Sequence, residues 1–246
     1  MSQKKEENKK LMVVEDSMHW YPSLKKKNIY YPSITTLLSV FPKGVGFNMY
    51  LTAQTSWESS QQALNEAAQR GTRVHEACDR LENGEELIME DFHQEEWLRI
   101  WGFKKFVTEY KPKLIYKELG MVSDKFKTGG RIDRVYEIGG KIILLDIKTG
   151  KSNYDNYYAQ TSAYAVLIGD PKTMFYEKAK HTAIDDTAIL RLSHLSKNNY
   201  NYSIRDKEEW KNDFKSFQHC QGLWNYLNPD KKSPKILEVP ATLKLL

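Results

Sequence analysis

Hydrophobic and polar positions change their rhythm near residue 113. Before it the pattern is helical. Tyr31-Pro32-Ser33-Ile34-Thr35-Thr36-Leu37-Leu38 places a serine after a proline and before apolar residues, which predicts a helix N-cap and a short helix that Phe41-Pro42 ends. Residues 57–82 read as a helix, broken or bent near Gly71 and closed by Asn83-Gly84. Another helix is predicted over roughly 91–109, with Trp97 and Trp101 on one face and Pro112 blocking its continuation. After that the period shortens. Residues 113–122 are extended in character, and 131–138 and 141–147 form a hairpin turned at Gly139-Gly140. Ile142 to Leu145 is a continuous apolar run, as in a buried central strand. A helix over 155–168, strands near 187–193 and 199–205, and a helix over 207–227 complete the order. In that last helix Trp210, Phe214, Phe217 and Trp224 recur at helical spacing, a core stripe. The fold class predicted is α/β with a helical N-terminal elaboration.

Composition narrows the picture. The chain has 246 residues, 40% hydrophobic and 28% charged, which suits one compact soluble domain with a real core. Three regions are expected inside it: a disordered charged tail over 1–10, a helical region over 11–112, and a core over 113–246. No stretch of about 18 apolar residues is present, so no membrane-spanning helix is expected. The N-terminal segment has neither the apolar run of a signal peptide nor the composition of a transit peptide. Its two cysteines, Cys78 and Cys220, read as free thiols in a reducing cytoplasm and cannot supply the four ligands of an ordinary iron–sulfur cluster. A net charge of +5 suits a polyanion partner without proving one.

Candidate chemistry gathers on the predicted hairpin. Asp133 lies early in one strand, and Asp146 lies late in the next. Antiparallel pairing can bring the two side by side. Asp146 and Lys148 share a face, because side chains alternate along a strand. Two carboxylates held together are costly unless a cation or donors compensate, and a hard divalent ion does so with oxygen ligands. A lone Asp-x-Lys is usually a surface pair, so its neighbours decide. Glu118, on the preceding strand, fits a third carboxylate and an edge-strand surface charge equally well. His75 sits on the long helix, and Gln160 and Tyr164, four apart, share one face of the helix after Lys148.

Four elements then stand in order: Gly71-Thr72-Arg73-Val74-His75, Gly130-Arg131-Ile132-Asp133, Asp146-Ile147-Lys148-Thr149-Gly150 and Gln160-Thr161-Ser162-Ala163-Tyr164. Together they resemble the PD-(D/E)xK nuclease superfamily, and its RecB-like branch in particular, over about residues 31–168. Pro32-Ser33-Ile34-Thr35 is also similar to the start of the mitochondrial genome-maintenance exonuclease group and its phage relatives. There are departures. Ile132 stands where many members have proline, and the cysteine cluster of some relatives is absent.

The resemblance implies a restriction-endonuclease-like mixed sheet flanked by helices, and a Mg²⁺- or Mn²⁺-dependent deoxyribonuclease without an iron–sulfur cluster. It implies that His75, Asp133, Asp146 and the Ile147 carbonyl hold the metal, and that Lys148 orients or deprotonates the attacking water. Gln160 and Tyr164 would hold the scissile phosphate or the lysine. The implied partner is DNA, most readily single-stranded, cut from an end to leave 5′-phosphates in a bacterial or phage-infected cytoplasm. A non-catalytic nucleic-acid-binding module and a structure-specific endonuclease stay open as alternatives. Phe41, Phe47, Tyr50, Tyr154, Tyr157 and Tyr158 flank the motifs and suit base stacking. Lys43, Arg70, Arg73, Lys127, Arg131 and Lys151 are candidate phosphate contacts. Taken one by one, these read more readily as core aromatics and a solvated basic surface.

Overall fold

A computed structural model describes residues 9–13, 18–44, 56–229 and 236–240. Residues 1–8 of the expected tail, and the candidate aromatics Phe47 and Tyr50, lie outside the described residues. Lys9 and Lys10 of that tail belong to a strand, β1 (Lys9–Val13), whose antiparallel partner β10 (Ile236–Pro240) supplies the ladder that a charged segment alone would lack.

Two very short strands follow, β2 (Trp20–Pro22) and β3 (Tyr30–Pro32), paired antiparallel. Ser33 then caps α1 (Ile34–Leu37), its Oγ accepting from the Thr36 amide at 3.0 Å. A single 3₁₀ turn, Leu38–Val40, ends that segment before Phe41-Pro42.

Helix α2 (Trp57–Glu82) opens on a reciprocal cap between Ser56 and Ser59. It is unbroken, contrary to the expected interruption near Gly71. Glycine lowers helix propensity by about 1 kcal/mol, too little to stop a helix of this length. The residue is there for a close approach described below. Helix α3 (Gln94–Tyr110) packs Phe103 and Phe106 inward. Trp97 joins that packing, whereas Trp101 stays largely exposed beside Lys104 and Lys105.

The meander is β4 (Lys113–Ser123), β5 (Thr128–Ile138) and β6 (Lys141–Lys148). Gly139 and Gly140 turn the β5–β6 hairpin with φ of +59° and +80°, the left-handed pair that a two-residue turn requires. After β6 come α4 (Asp155–Gly169), β7 (Met174–Phe175), β8 (Asp186–Leu192), β9 (Tyr200–Arg205) and α5 (Lys207–Leu227).

Six strands form one mixed sheet in the order β7-β4-β5-β6-β8-β9. Only β6 and β8 pair in parallel, and α4 is the crossover that such a pair needs. The sheet separates two apolar layers. Leu144 faces α1, α4 and α5, with Ala163, Leu167, Trp210, Phe217 and Trp224. Ile143, Leu145 and Ile147 point the other way, toward Val74, Ala77, Phe103 and Phe106 of α2 and α3. Strand β6 is thus covered on both faces, which accounts for its unbroken run of apolar residues.

Candidate active site

The site begins where two strands part. Pairing of β5 with β6 runs from Ile138 opposite Lys141 to Arg134 opposite Leu145 and stops there. The next positions on that register are Asp133 and Asp146. Past them, the Ile147 amide donates to Asp133 Oδ2 at 2.9 Å, so a side chain supplies the acceptor where the ladder ends. Strand β6 continues alongside β8 as far as Lys148 opposite Arg191. Two carboxylates therefore stand at the mouth of a gap between neighbouring strands.

On the α4 side, Lys148 Nζ lies 2.7 Å from Asp146 Oδ2 and donates to Gln160 Oε1 at 3.3 Å. Its ammonium also sits over the Tyr157 ring, 4.8 Å from the centroid. The ammonium thus has three electron-rich neighbours for its three donors. Gln160 Nε2 reaches Asp146 Oδ1 and the Tyr164 hydroxyl, each at 3.4 Å. Gln160 thus touches Lys148, and Tyr164 touches Gln160. Tyr164 is buried and reaches the pair only through Gln160. Its ring lies against Gly130, where any Cβ would collide with it.

Asp146 is only 2% exposed. Burial raises its pKa to about 6; Lys148 opposes that rise and Asp133 adds to it. Burial pulls Lys148 down, but Asp146 and Asp133 outweigh it and leave its pKa raised. Asp146 and Lys148 are therefore a buried ion pair, each holding the other in its charged form.

On the opposite side, His75 Nδ1 stands 3.7 Å from Asp133 Oδ2, too far for a direct hydrogen bond. Its helix passes close to the end of β6: a Cβ on Gly71 would meet Thr149 Oγ1 at 3.2 Å. Gly71 lets α2 approach there, and His75 lies one turn further on.

Glu118 sits opposite Asp133, between the pairs Lys117–Arg134 and Leu119–Ile132. Its φ of +49° is left-handed, a strained conformation for a non-glycine residue in a strand. Burial, and then Asp133, raise its pKa, while Arg134 opposes them. Glu118 thus lies across the β4–β5 ladder from Asp133, with its side chain partly exposed.

Sequence reading missed Arg134. Its guanidinium is fully buried and pairs with Asp79, with Glu82 at 2.8 Å, and with Glu118 at 3.7 Å. It also donates to the Asp133 carbonyl at 2.8 Å. Tyr136 donates to Glu82 as well. His75, Asp79 and Glu82 lie on one side of α2, so Arg134 fastens the histidine-bearing helix to the aspartate-bearing strand. The available signal was that spacing of His75, Asp79 and Glu82 on a helix otherwise rich in exposed polar residues.

The foreseen phosphate contacts divide. Arg73 is held by buried Glu96, with Nε donating at 2.8 Å. Arg131 is held by Glu177 at 3.3 Å and by the Glu118 carbonyl. Arg70, Lys127 and Lys151 form no ion pair with any described residue, and Lys127 and Lys151 are exposed.

A family model of the PD-(D/E)XK nuclease superfamily matches residues 48–229, well over half of the chain. The chain belongs to the PD-(D/E)XK nuclease superfamily. Its mixed six-stranded sheet with helices on both faces agrees with the restriction-endonuclease-like fold of that superfamily. Asp133, Asp146 and Lys148 all lie within the matched residues. Membership makes the chain a nuclease, a phosphodiester hydrolase of a superfamily that typically uses divalent metals. No curated protein matches the chain. Among the described residues, no helix is long and apolar enough to cross a membrane.

The donors suit a hard divalent cation in kind. Carboxylates dominate, and the His75 imidazole lies 3.7 Å from Asp133 Oδ2. As they stand, no three His, Cys, Asp or Glu side chains among the described residues converge on one point.

Proposed function

We propose that this PD-(D/E)XK nuclease is a RecB-like, Mg²⁺- or Mn²⁺-dependent DNA exonuclease acting on single strands or strand ends and leaving 5′-phosphates. The observation that carries the reading is the parting of β5 from β6 at Asp133 and Asp146, with His75 and Lys148 on its two sides. His75, Asp133, Asp146 and the Ile147 carbonyl would hold the metal, and an imidazole among them makes Mn²⁺ as suitable as Mg²⁺. When bound, the metal polarises the phosphate and offsets charge on the leaving oxygen.

The protein's own groups do the rest. Lys148, surrounded by acceptors, acts as an ammonium that orients the attacking water and sets positive charge against the phosphate. Gln160 fixes that ammonium, and Tyr164 fixes Gln160. Glu118 adds a further carboxylate beside Asp133. Arg70, Lys127 and Lys151, which form no ion pair with described residues, are the cations of the foreseen set left to meet phosphates.

The test is digestion of end-labelled single- and double-stranded DNA, and of circular single strands, with Mg²⁺, Mn²⁺ or EDTA. Linear single strands should be degraded from an end with either metal and be stable in EDTA. Asp146→Ala and Lys148→Ala should each lose at least about 10²-fold in rate. Undiminished cleavage by either variant would sink the catalytic assignment. Cutting of the circle at a comparable rate would make the enzyme an endonuclease.

A further inference from the structure

The three tyrosines around the start of α4 have different surroundings. Tyr158 is committed to the fold: Arg205 stacks on its ring 4.3 Å from the centroid, and Asn153 donates to its hydroxyl at 3.3 Å. Tyr157 lies half-buried under the Lys148 ammonium. Tyr154 meets Tyr157 edge-to-face at 5.4 Å between centroids and is 49% exposed. A contiguous row therefore runs from Asp146 through Lys148 and Tyr157 to an exposed aromatic ring.

Tyr154 is also an odd residue for its position. It is the N-cap of α4, and its side chain makes no capping hydrogen bond. The N-caps of α1, α2 and α5 are Ser33, Ser56 and Asp206, each accepting from its own helix. An aromatic ring at an N-cap forgoes the stabilisation that Ser, Thr, Asp or Asn would give. The preceding residue is meanwhile tied down, with Asn153 Nδ2 donating to Ser203 Oγ at 2.9 Å. Tyr154 thus follows an anchored residue, makes no capping bond, rests its ring against Tyr157 and leaves the rest exposed. Three residues earlier in the same loop, Lys151 is exposed and free of ion pairs with described residues.

We propose that Tyr154, backed by Tyr157, is a stacking shelf for one unpaired base of single-stranded DNA next to the scissile phosphate, with Lys151 meeting an adjoining phosphate. Every base has a π-face, so such a shelf ignores sequence but requires the base to be unpaired. The inference rests on the nuclease reading and gives its preference for single strands a physical origin. Duplex ends would have to fray before they engaged the shelf.

The experiment is anisotropy binding of the full-length protein, in EDTA, to a labelled oligothymidylate in which a single abasic residue is moved along the strand. Wild type should show one position where losing the base weakens binding, by roughly 5- to 100-fold. Tyr154→Ser should bind the intact strand more weakly by a similar factor and show no such position. Its melting temperature should equal or exceed that of wild type, because serine restores a cap. Tyr154→Phe and Tyr154→Trp should keep the abasic profile. A Tyr154→Ser profile identical to wild type, or a wild type with no sensitive position, overturns the shelf. Cleavage assayed in parallel with Mn²⁺ separates the two readings. A protein that cuts but shows no Tyr154 dependence removes the shelf alone, and one that binds through the shelf without cutting removes the nuclease assignment alone.

Discussion

Asp146 and Lys148 are poor choices for stability and good ones for chemistry. Burial of the carboxylate raises its pKa to about 6, and Lys148 offsets only part of that. Replacing a buried ion pair by uncharged groups of similar size is neutral to stabilising, by up to a few kcal/mol. The double variant Asp146→Asn, Lys148→Met should therefore melt at or above the wild-type temperature while losing cleavage. A clear drop in melting temperature would mean that the pair holds the fold and is not a functional strain. Glu118 has the same character, since its left-handed backbone persists only because the neighbours enforce it. At this scale the sequence was informative where chemistry is local. Asp146, Lys148 and their alternation are written within three residues of one strand. The conformation of Glu118 was not legible, because it depends on where β5 leaves β6.

Two devices dock α2 on the sheet, and each can be broken separately. Arg134 is buried among Asp79, Glu82 and Glu118. Arg134→Met would leave those acids uncompensated and should destabilise the protein by about 3–5 kcal/mol in urea unfolding. Arg134→Lys should recover only part, because a single ammonium cannot reproduce the planar fork that reaches several acids. Gly71 is the second device. Gly71→Leu gains up to about 1 kcal/mol of helix propensity, yet its side chain must displace Thr149. Stability should change little while cleavage and Mn²⁺ affinity fall about tenfold or more, read by titration calorimetry. Unchanged affinity would show that the approach of α2 to β6 does not set the position of His75. The long elements, from α2 to α5, were readable from periodicity. Of the break or bend expected at Gly71 the break is absent, because a sequence shows the missing propensity but not the tertiary contact that the glycine serves. Strands β2, β3 and β7 span only two or three residues, too short to display a period of two.

Over the whole molecule, the net charge of +5 is a weak guide, because ion pairing decides which cations can release counterions from DNA. Arg73 and Arg131 each belong to an acid of the fold, whereas Lys151 is exposed beside the proposed shelf. Equal charges should then have unequal effects. Each phosphate contact on single-stranded DNA adds about 0.7 to the steepness of log K against log salt. Lys151→Ala should flatten the slope by about that amount and leave the melting temperature within error. Arg73→Ala should leave the slope unchanged. It would instead lower stability by roughly 1–2 kcal/mol, because buried Glu96 loses its partner while the arginine itself is half in solvent. Were the two variants to exchange behaviours, the DNA would run over the α2–α3 side of the molecule and not past the start of α4, and the path from Lys148 to Tyr154 would lie off the substrate's route.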